Sequence, residues 1–380
     1  MSTNFDLIVI GAGPAGSAAA FTAAQEGISV LLLEEHAEIG IPVVCAEALS
    51  RSTIEGYIEI KPEWISHELS GSILRGPIGE TLRIEYPHVG WVLNRKVFDK
   101  ALASMAQAHG AVIKRLTKAI GIEENKVIVN EDGIQKTYSF KFLIGADGVA
   151  SNVGKWMGID TRLALHEIMV CAQYVISNIT LDPYYATLMI DEEYTPGGYA
   201  WIFPKSRNAA NIGLGISPMK AKKSARHLLD QWVKTEFAHG FIKKKIFGGV
   251  PAKILKQFSG KNFFLVGDAA RFADPLSGAG IANGIKSGVL AGRNAVLWLK
   301  GKKHYFEAEM KKEILNEIKF HERVRNIYMK LSNNEYSEIF KIGKKFFNGE
   351  KIDDINTHLL VKHLLLSSPR LLRIGFNLLF

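Results

Sequence analysis

Apolar runs and one alanine-rich segment alternate at the beginning of the chain. Phe5 to Ile10 is an apolar run that ends at glycines, Ala15 to Glu26 has the composition of a helix, and Ser29 to Leu33 is a second apolar run. Together the three segments have the length of about 30 residues that a strand, a helix and a parallel strand need. The pattern therefore predicts a β-α-β unit.

Further along the chain this pattern changes twice. Leu69 to Val92 alternates apolar and polar positions, and Ile168 to Ile216 is rich in Tyr, Ile and Thr, which favours antiparallel strands. Phe263 to Val266 is again a continuous apolar run, Gly280 to Lys300 predicts a helix, and the remainder has a mostly helical pattern. We therefore expect an α/β fold in which an antiparallel sheet interrupts a parallel one and helices follow.

Composition and charge narrow the class of protein. A chain of 380 residues exceeds the usual size of one hydrophobic core, so two subdomains are expected. Two cysteines, Cys45 and Cys171, are too few for a disulfide framework, which favours the cytoplasm. A net charge of +9 suits a nucleic acid, an anionic membrane or an acidic protein. Without a zinc-ligand spacing or an RNA-binding signature, we expect neither nucleic acid nor a metal. The chain also has no apolar run long enough for a transmembrane helix.

Glycines follow the first apolar run at the spacing of a dinucleotide fingerprint. Gly11 permits a tight turn, Gly13 lets a pyrophosphate approach the backbone, and Gly16 lets the helix pack on the strand. The helix that opens near Ala15 then offers free N–H groups to the phosphates. Glu34, at the end of the second strand, can accept the ribose hydroxyls. By itself this motif is compatible with either FAD or NAD.

A second site late in the chain favours FAD. Asp268 directly follows the apolar run at Phe263, and a glycine-containing loop then opens a helix at Gly280 and Ile281. A flavin needs a carboxylate for its ribityl chain, and a helix N-terminus stabilises the negative charge of the reduced ring. A capping Asp before a structural helix is the alternative interpretation.

The pairing of these two sites resembles the FAD-dependent hydroxylase superfamily. The resemblance implies that Asp268 binds the ribityl hydroxyls and that Gly278, Gly280 and Ile281 lie at the flavin.

Three further positions follow from the same resemblance. Arg95, at the start of a predicted helix, corresponds to an arginine that enters the cofactor cleft, and Ala119 to a further cofactor contact. Asp147, within Gly-Ala-Asp-Gly, corresponds to a turn near the pyrophosphate or is an N-cap of the next segment.

A nine-residue segment in the middle of the chain is more specific. The segment from Pro196 to Pro204, PGGYAWIFP, matches the Pro-x-x-Tyr-x-Trp-x-Phe-Pro signature of the geranylgeranyl reductases, with Tyr199 and Trp201 at its centre. A strand edge with core aromatics would give the same alternation. Because the segment lies between the two flavin motifs, the chain resembles that family.

A second family segment is only partly matched. Where the family has Arg-Cys-Gly-Glu-Gly-Leu near the flavin, this chain has Val44-Cys45-Ala46-Glu47-Ala48-Leu49. The resemblance implies that Cys45, Ala46 and Ala48 contact the cofactor. Alanine in place of glycine narrows the space beside the ring or fixes the backbone. Cys45 is either a small buried side chain or a residue that faces the flavin.

The resemblance also implies a domain organisation and an activity. We expect a discontinuous Rossmann-like FAD-binding domain that comprises residues 1–68, 91–165 and 258–300. Residues 69–90 and 166–257 should form an antiparallel substrate domain, and residues 301–380 a helical C-terminal region. The implied activity is FAD-dependent saturation of C=C bonds in geranylgeranyl chains of archaeal-type glycerophospholipids, with Cys45, Tyr199 and Trp201 as catalytic residues. A quinone or chlorophyll precursor as substrate, a flavin monooxygenase, and a non-catalytic flavin- and lipid-binding protein are the alternatives.

The partners are less defined than the cofactor. A prenylated lipid is the expected substrate, and the electron donor is a ferredoxin, a reduced deazaflavin or NAD(P)H. The segments Leu359 to Leu366 and Leu371 to Ile374 predict an amphipathic helix, which either binds a membrane or packs on the body. We expect a cytoplasmic protein on the inner face of the membrane.

Overall fold

A computed structural model describes residues 3–347 and 357–375 of the chain. These residues form two eight-stranded sheets with helices on and between them. The strands are β1 (Asn4–Ile10), β2 (Val30–Leu33), β3 (Ala48–Ser50), β4 (Ile65–Arg75), β5 (Thr81–Leu93), β6 (Val112–Lys114), β7 (Thr117–Glu123), β8 (Lys126–Glu131), β9 (Ile134–Gly145), β10 (Ile168–Ser177), β11 (Tyr185–Met189), β12 (Tyr199–Ser206), β13 (Ala209–Ile216), β14 (Phe241–Pro251), β15 (Ser259–Gly260) and β16 (Phe263–Leu265).

More than half of the described α-helices follow residue 280. They are α1 (Pro14–Gln25), α2 (Arg51–Ile54), α3 (Arg95–Ala108), α4 (Asn152–Trp156), α5 (Ala225–Glu236), α6 (Ile281–Leu299), α7 (Phe306–Met310), α8 (Asn316–Tyr328), α9 (Asn333–Phe347), α10 (Thr357–Leu366) and α11 (Pro369–Gly375). A π-helical turn, Lys311–Leu315, joins α7 to α8. Among the described helices, none has both the length and the apolar character needed to cross a membrane.

The first sheet contains the predicted β-α-β unit. Its strand order is β15-β16-β9-β1-β2-β6, with the hairpin of β7 and β8 attached to β9. β1 pairs in parallel with both β2 and β9, and β16 pairs in parallel with β9. Because both faces of these strands are covered, their residues form continuous apolar runs, which explains the sequence pattern. The α/β class is confirmed.

The second sheet is mainly antiparallel, in the order β14-β10-β13-β12-β11-β4-β5-β3. Helix α5 covers one face, and the apolar cluster between them includes Tyr174 and Trp232. β3 and the first residues of β4 belong to this sheet, although they precede residue 69. The division into domains stays a prediction. It assigns β3 and the first residues of β4 to the FAD-binding domain, whereas these residues pair with strands of the second sheet.

Candidate active site

A cavity of about 660 Å³ lies where the two sheets meet, within the usual size of a ligand site. Its walls come from the β1–α1 turn, the loop around Cys45, the second sheet, the loop before α6, and α8. Twelve of the predicted site residues line it: Gly13, Ala15, Cys45, Ala46, Ala48, Arg95, Tyr199, Trp201, Asp268, Gly278, Gly280 and Ile281. The other four, Gly11, Gly16, Glu34 and Ala119, lie outside this lining.

Close packing explains the glycines of the β1–α1 turn. Gly11 has a φ of +100°, and a Cβ there would lie 2.3 Å from the carbonyl oxygen of Ala146. A Cβ on Gly16 would lie 1.8 Å from the carbonyl oxygen of Gly11. Gly13, in contrast, has no atom within 4 Å of an added Cβ, so its backbone is open to a ligand. Two glycines thus form the turn, and the third leaves room for a pyrophosphate.

Glu34 and Ala119 lie at the far edge of this turn. Glu34 accepts the N–H of Ala12 at 3.0 Å through Oε2, and its Oε1 lies 2.6 Å from Nδ1 of His36. Its carboxylate is therefore fixed at the end of β2. Thr117 donates its N–H to the carbonyl of Glu34 at 2.8 Å, and Ala119 follows two residues later on β7. Contact of either residue with the cofactor stays a prediction.

The loop after β16 presents a half-buried carboxylate to the cavity. Asp268 makes no side-chain hydrogen bond to any described residue, and burial raises its pKa although the nearby Arg95 lowers it. A Cβ on Gly280 would lie 3.3 Å from Oδ1 of Asp268. No side chain caps the following helix α6, so its first N–H groups are free. An unpartnered carboxylate beside a helix N-terminus fits the hydroxyls and ring of a flavin.

Arg95 is the first residue of α3 and is held by its own helix. Its Nε and Nη2 donate to the two carboxylate oxygens of Asp99 at 2.6 and 2.7 Å. This bidentate pair fixes the guanidinium in the cavity wall. Asp147, in contrast, does not line the cavity; its Oδ2 accepts the N–H of Val153 at 3.0 Å, inside α4. The capping interpretation thus holds for one oxygen, whereas Oδ1 is buried without a hydrogen-bond partner in the described residues.

Polar side chains of the second sheet hold the backbone of the Cys45 loop. Nε2 of Gln173, on β10, donates a hydrogen bond to the carbonyl of Cys45 at 3.0 Å. Nδ2 of Asn211, on β13, donates one to the carbonyl of Ala46, also at 3.0 Å. Burial raises the pKa of Cys45, with the neighbouring Arg95 opposing it, so the thiol keeps its proton at neutral pH. The loop is therefore ordered by residues far away in the sequence.

Glu47 connects helix α3 to the second sheet at this loop. It is buried with a φ of +69°, and its carboxylate accepts the N–H of Arg95 at 3.1 Å, Nδ2 of Asn211 at 2.8 Å, and Nζ of Lys205. Sequence reasoning noted Glu47 only as a family match and missed Gln173 and Asn211. No local motif marks those two residues, because their partners are more than 120 positions away.

The signature segment forms β12 and turns its aromatic residues into the cavity. Tyr199, Trp201 and Phe203 line the cavity, while the alternating Ala200 and Ile202 pack toward α5. The rings of Trp201 and Phe203 stack with centroids 6.3 Å apart. The side chains of β12 therefore alternate between a face that packs in the core and a face that lines the cavity.

Two hydrogen bonds connect these aromatics to the rest of the site. Nε1 of Trp201 donates to Oε1 of Gln173 at 2.8 Å, and the hydroxyl of Tyr199 donates to the carbonyl of Ser277 in the loop before α6. Burial raises the pKa of Tyr199, so the phenol stays protonated.

Helix α8 completes the wall, a contribution that the sequence did not indicate. His321 pairs with Asp274, which belongs to the loop before α6. Burial opposes charge on both groups, but their pairing outweighs it, so the pKa of His321 is raised and that of Asp274 is lowered. Arg325 and Tyr328 follow on the same helix and line the cavity. In the described residues no group of His, Cys, Asp and Glu is arranged to hold a metal ion.

Comparison with known proteins agrees with this geometry. A family model described as the geranylgeranyl reductase catalytic domain matches residues 167–250, and one described as FAD dependent oxidoreductase matches residues 6–148. A digeranylgeranylglycerophospholipid reductase of Methanosarcina acetivorans is 42% identical over 313 residues, which cover 78% of this chain and 76% of that protein. One of Methanocella arvoryzae is 34% identical over 392 residues, covering 98% of each chain.

Solved structures share the same fold. A geranylgeranyl bacteriochlorophyll reductase-like protein of Thermoplasma acidophilum superimposes with a TM-score of 0.91 at 28% identity, over 99% of both chains. The myxobacterial halogenase CndH has a TM-score of 0.67 at 19% identity, covering 97% of this chain and 92% of that one, which shows a common fold only. The predicted resemblance and the prediction of FAD as the cofactor are confirmed. With relatives this similar along almost the whole sequence, the chain belongs to the geranylgeranyl reductase family.

Proposed function

We propose that this protein is an FAD-dependent reductase that saturates C=C bonds in the geranylgeranyl chains of archaeal-type membrane glycerophospholipids. The observation that carries the proposal is a single cavity with two kinds of wall. Gly13, Asp268 and Gly280 form a polar, glycine-containing wall, and Tyr199 and Trp201 belong to an apolar, aromatic one. A flavin fits the first wall and a prenyl chain fits the second. The names of the relatives agree with this division.

The residues around the polar wall fit FAD. The open backbone at Gly13 and the start of α1 would hold the pyrophosphate, Glu34 the ribose, and Asp268 the ribityl hydroxyls. The free N–H groups at the start of α6 would face the ring, where they favour its reduced, anionic form. When bound and reduced, FAD supplies the hydride for the reaction.

The aromatic wall suits a reaction that passes through positive charge. An isolated trisubstituted alkene has no carbonyl to accept a hydride, so we propose that a proton adds first and gives a tertiary carbocation. The faces of Tyr199 and Trp201 would stabilise that charge by about 2 kcal/mol where water is excluded. The same side chains would exclude water that could otherwise trap the cation.

Cys45 is the side chain that best fits the proton source. Its thiol lines the cavity and remains protonated, because burial raises its pKa. Glu47 also lines the cavity, but its carboxylate already accepts hydrogen bonds from Arg95, Asn211 and Lys205, which suits an acceptor better than a donor. A bound water and the flavin itself are the alternative sources. Cys45→Ala should slow the reduction, and Cys45→Ser should recover part of the rate if the side chain donates the proton.

Mass spectrometry after a single anaerobic turnover tests the whole proposal. The FAD-loaded protein is photoreduced, mixed with a digeranylgeranyl glycerophospholipid in deuterated water, and the lipid is analysed. We expect oxidation of the flavin together with a lipid that carries two solvent-derived deuterium atoms for each bond reduced, because the N5 hydrogen of the reduced flavin also exchanges with the solvent. If the flavin stays reduced in the presence of lipid, the protein is not a prenyl reductase. A substrate analogue with fluorine beside the double bond, which destabilises a carbocation, should be reduced more slowly, and an equal rate would reject the proton-first order alone.

Oxygen consumption distinguishes the reductase from a monooxygenase. The fold is shared with a halogenase and with aklavinone-11 hydroxylase, so it does not decide between these chemistries. A monooxygenase would consume oxygen and NADPH faster when a phenolic substrate is added. We expect no such stimulation.

We also propose that the protein binds to the cytoplasmic face of the membrane, with β14 as a contact. Phe241 is 63% exposed and Phe247 47% exposed on this edge strand, and three exposed lysines lie between them, Lys243 to Lys245. Val44 is 57% exposed and also lines the cavity, so the opening of the cavity lies beside β14. Basic and apolar side chains together favour an anionic lipid surface.

Sedimentation with anionic vesicles at low salt tests this contact. Charge reversal of Lys243, Lys244 and Lys245 to Glu should reduce binding, because each lysine adds about 1 kcal/mol near such a surface. Reversal of Lys261, Lys302 and Lys303, three exposed lysines outside β14, is the matched control and should have little effect. Equal binding by both variants would reject this surface. The positive charge also suits an acidic ferredoxin as electron donor, with a reduced deazaflavin or NAD(P)H as alternatives.

A further inference from the structure

Helix α8 carries a buried cation that the proposed reaction does not use. Arg325 is only 7% exposed and lines the cavity. Three residues later, Tyr328 donates its hydroxyl hydrogen to the carbonyl of Gly198, which holds α8 against the start of the signature segment. Arg325 therefore has a fixed place in the cavity wall.

The guanidinium of Arg325 has no carboxylate partner in the part of the chain that the structure describes. Its hydrogen bond there runs from Nη2 to the sulfur of Met169, at 2.9 Å, and a thioether is a weak acceptor. Glu322, the acidic residue nearest to it in sequence, forms no ion pair with it. Burial lowers the pKa of Arg325, but a guanidinium keeps its proton at neutral pH. A full positive charge is thus present with no carboxylate within ion-pair distance among the described residues.

The carboxylate that α8 does contact is already occupied. Asp274 pairs with His321, one helical turn before Arg325. Its Oδ1 also accepts the N–H groups of Leu276 at 3.0 Å and of Ser277 at 2.7 Å. Asp274 therefore orders the loop before α6 and leaves the charge of Arg325 unmatched.

Buried charges in proteins are paired, because an isolated ion in a low-dielectric environment is costly. The planar fork of an arginine matches the oxygens of a phosphate with two parallel hydrogen bonds. We infer that Arg325 binds the phosphate of the substrate's head group inside the cavity, an inference that rests on the proposed function. Arg325 would then fix one end of the lipid, and the aromatic wall would receive its chain. The distance between them would determine which double bond is reduced first.

Two substrates that differ only in the phosphate test this inference. The full-length, FAD-loaded protein is kept reduced by excess dithionite without oxygen and mixed with geranylgeranyl phosphate or with geranylgeraniol. Initial rates of product formation over a range of substrate concentrations give KM and kcat for each. Arg325→Gln removes the charge and Arg325→Lys retains it. Arg323→Gln is the matched control, because Arg323 lies on the exposed side of the same helix.

Arg325→Gln should raise KM for geranylgeranyl phosphate by about tenfold to a hundredfold, the loss expected for charge-assisted hydrogen bonds. KM for geranylgeraniol should change by less than about twofold, since that substrate makes no such bond. Arg325→Lys should recover part of the loss, and Arg323→Gln should behave as the wild type. An equal change in KM for both substrates, or no change for either, would overturn the inference.

Inorganic phosphate separates the two sources of a phosphate group. If it inhibits the reduction of both substrates by the wild type but not by Arg325→Gln, the ligand is a free phosphate ion and the head-group assignment is wrong. If the wild type reduces neither substrate, the proposed function fails while the inference is still tested. In that case, the shift in absorbance of the oxidised flavin reports binding. Geranylgeranyl phosphate should then bind the wild type more tightly than Arg325→Gln, and equal binding would contradict the assignment.

Discussion

Replacing Trp201 by Phe should destabilise the protein through one hydrogen bond. The indole N–H donates to Oε1 of Gln173 at 2.8 Å, and Nε2 of Gln173 donates to the carbonyl of Cys45 at 3.0 Å. Trp201 is 7% and Gln173 3% exposed, so water cannot replace the lost donor easily. Phenylalanine keeps an aromatic ring in the wall but leaves the amide oxygen of Gln173 without a partner.

The magnitude follows from the cost of that orphaned oxygen. A buried acceptor without a partner costs about 1–3 kcal/mol, and the smaller ring adds a packing loss. Trp232→Phe is the reference, because Trp232 is also buried but its Nε1 has no hydrogen-bond partner in the described residues, so its replacement loses packing and breaks no hydrogen bond. We therefore expect Trp201→Phe to lower the free energy of unfolding by about 1–3 kcal/mol more than Trp232→Phe does.

Urea unfolding of the FAD-loaded protein measures this difference. A double-mutant cycle with Gln173→Leu adds a second criterion, since residues in one hydrogen-bond network couple by about 0.5–3 kcal/mol. The double variant should be less destabilised than the sum of the single variants. Flavin absorbance should also shift in Trp201→Phe, because Gln173, which anchors the Cys45 loop, loses the hydrogen bond that orients its amide. Equal destabilisation by Trp201→Phe and Trp232→Phe, together with an additive cycle, would refute the reasoning.

Three other changes have clear expected outcomes. Asp268→Asn should weaken FAD binding by about tenfold to a hundredfold in a fluorescence titration, because charge-assisted hydrogen bonds are lost. The apoprotein should unfold no more easily, since a partly desolvated carboxylate without a hydrogen-bond partner is removed. Gly16→Ala should abolish flavin retention on purification, because its Cβ would lie 1.8 Å from the carbonyl oxygen of Gly11. His321→Gln should remove a pH-dependent stabilisation that thermal unfolding can detect. With the pKa of His321 raised above 6.5 and that of Asp274 lowered below 3.8, the pair stabilises fully between those values. Its contribution should fade as the pH rises through the pKa of His321 or falls through that of Asp274.

The sequence predicted the parts of the site that depend on local backbone constraints. Gly11 and Gly16 are required by atoms a few residues away or on the adjacent strand, so their spacing alone indicates the turn. The alternation around Trp201 likewise follows from a strand with two different faces. Such signals need no knowledge of distant partners.

Contacts between distant segments were beyond sequence reasoning. Gln173 reaches the Cys45 loop across 128 positions, and an isolated buried Gln on a strand has no distinguishing pattern. Arg325 lies on a helix whose periodicity shows that one face is buried but not what that face contacts. The resemblance to the superfamily implied that Ala119 contacts the cofactor. The structure places Ala119 on the β7–β8 hairpin and outside the cavity lining, which the sequence did not indicate.

The position of β16 has a consequence for biosynthesis. This strand pairs with β9 in the first sheet, but the whole second sheet precedes it in the chain. Helix α6 is made later still. It packs closely on α1, because a Cβ on Gly288 would lie 2.2 Å from the carbonyl oxygen of Ala15. At about 5–20 residues per second, a nascent chain waits roughly 10 to 50 seconds between emergence of the first helix and of its partner. Flavin can be captured only near the end of translation, so fragments that stop before residue 300 should remain colourless on the ribosome.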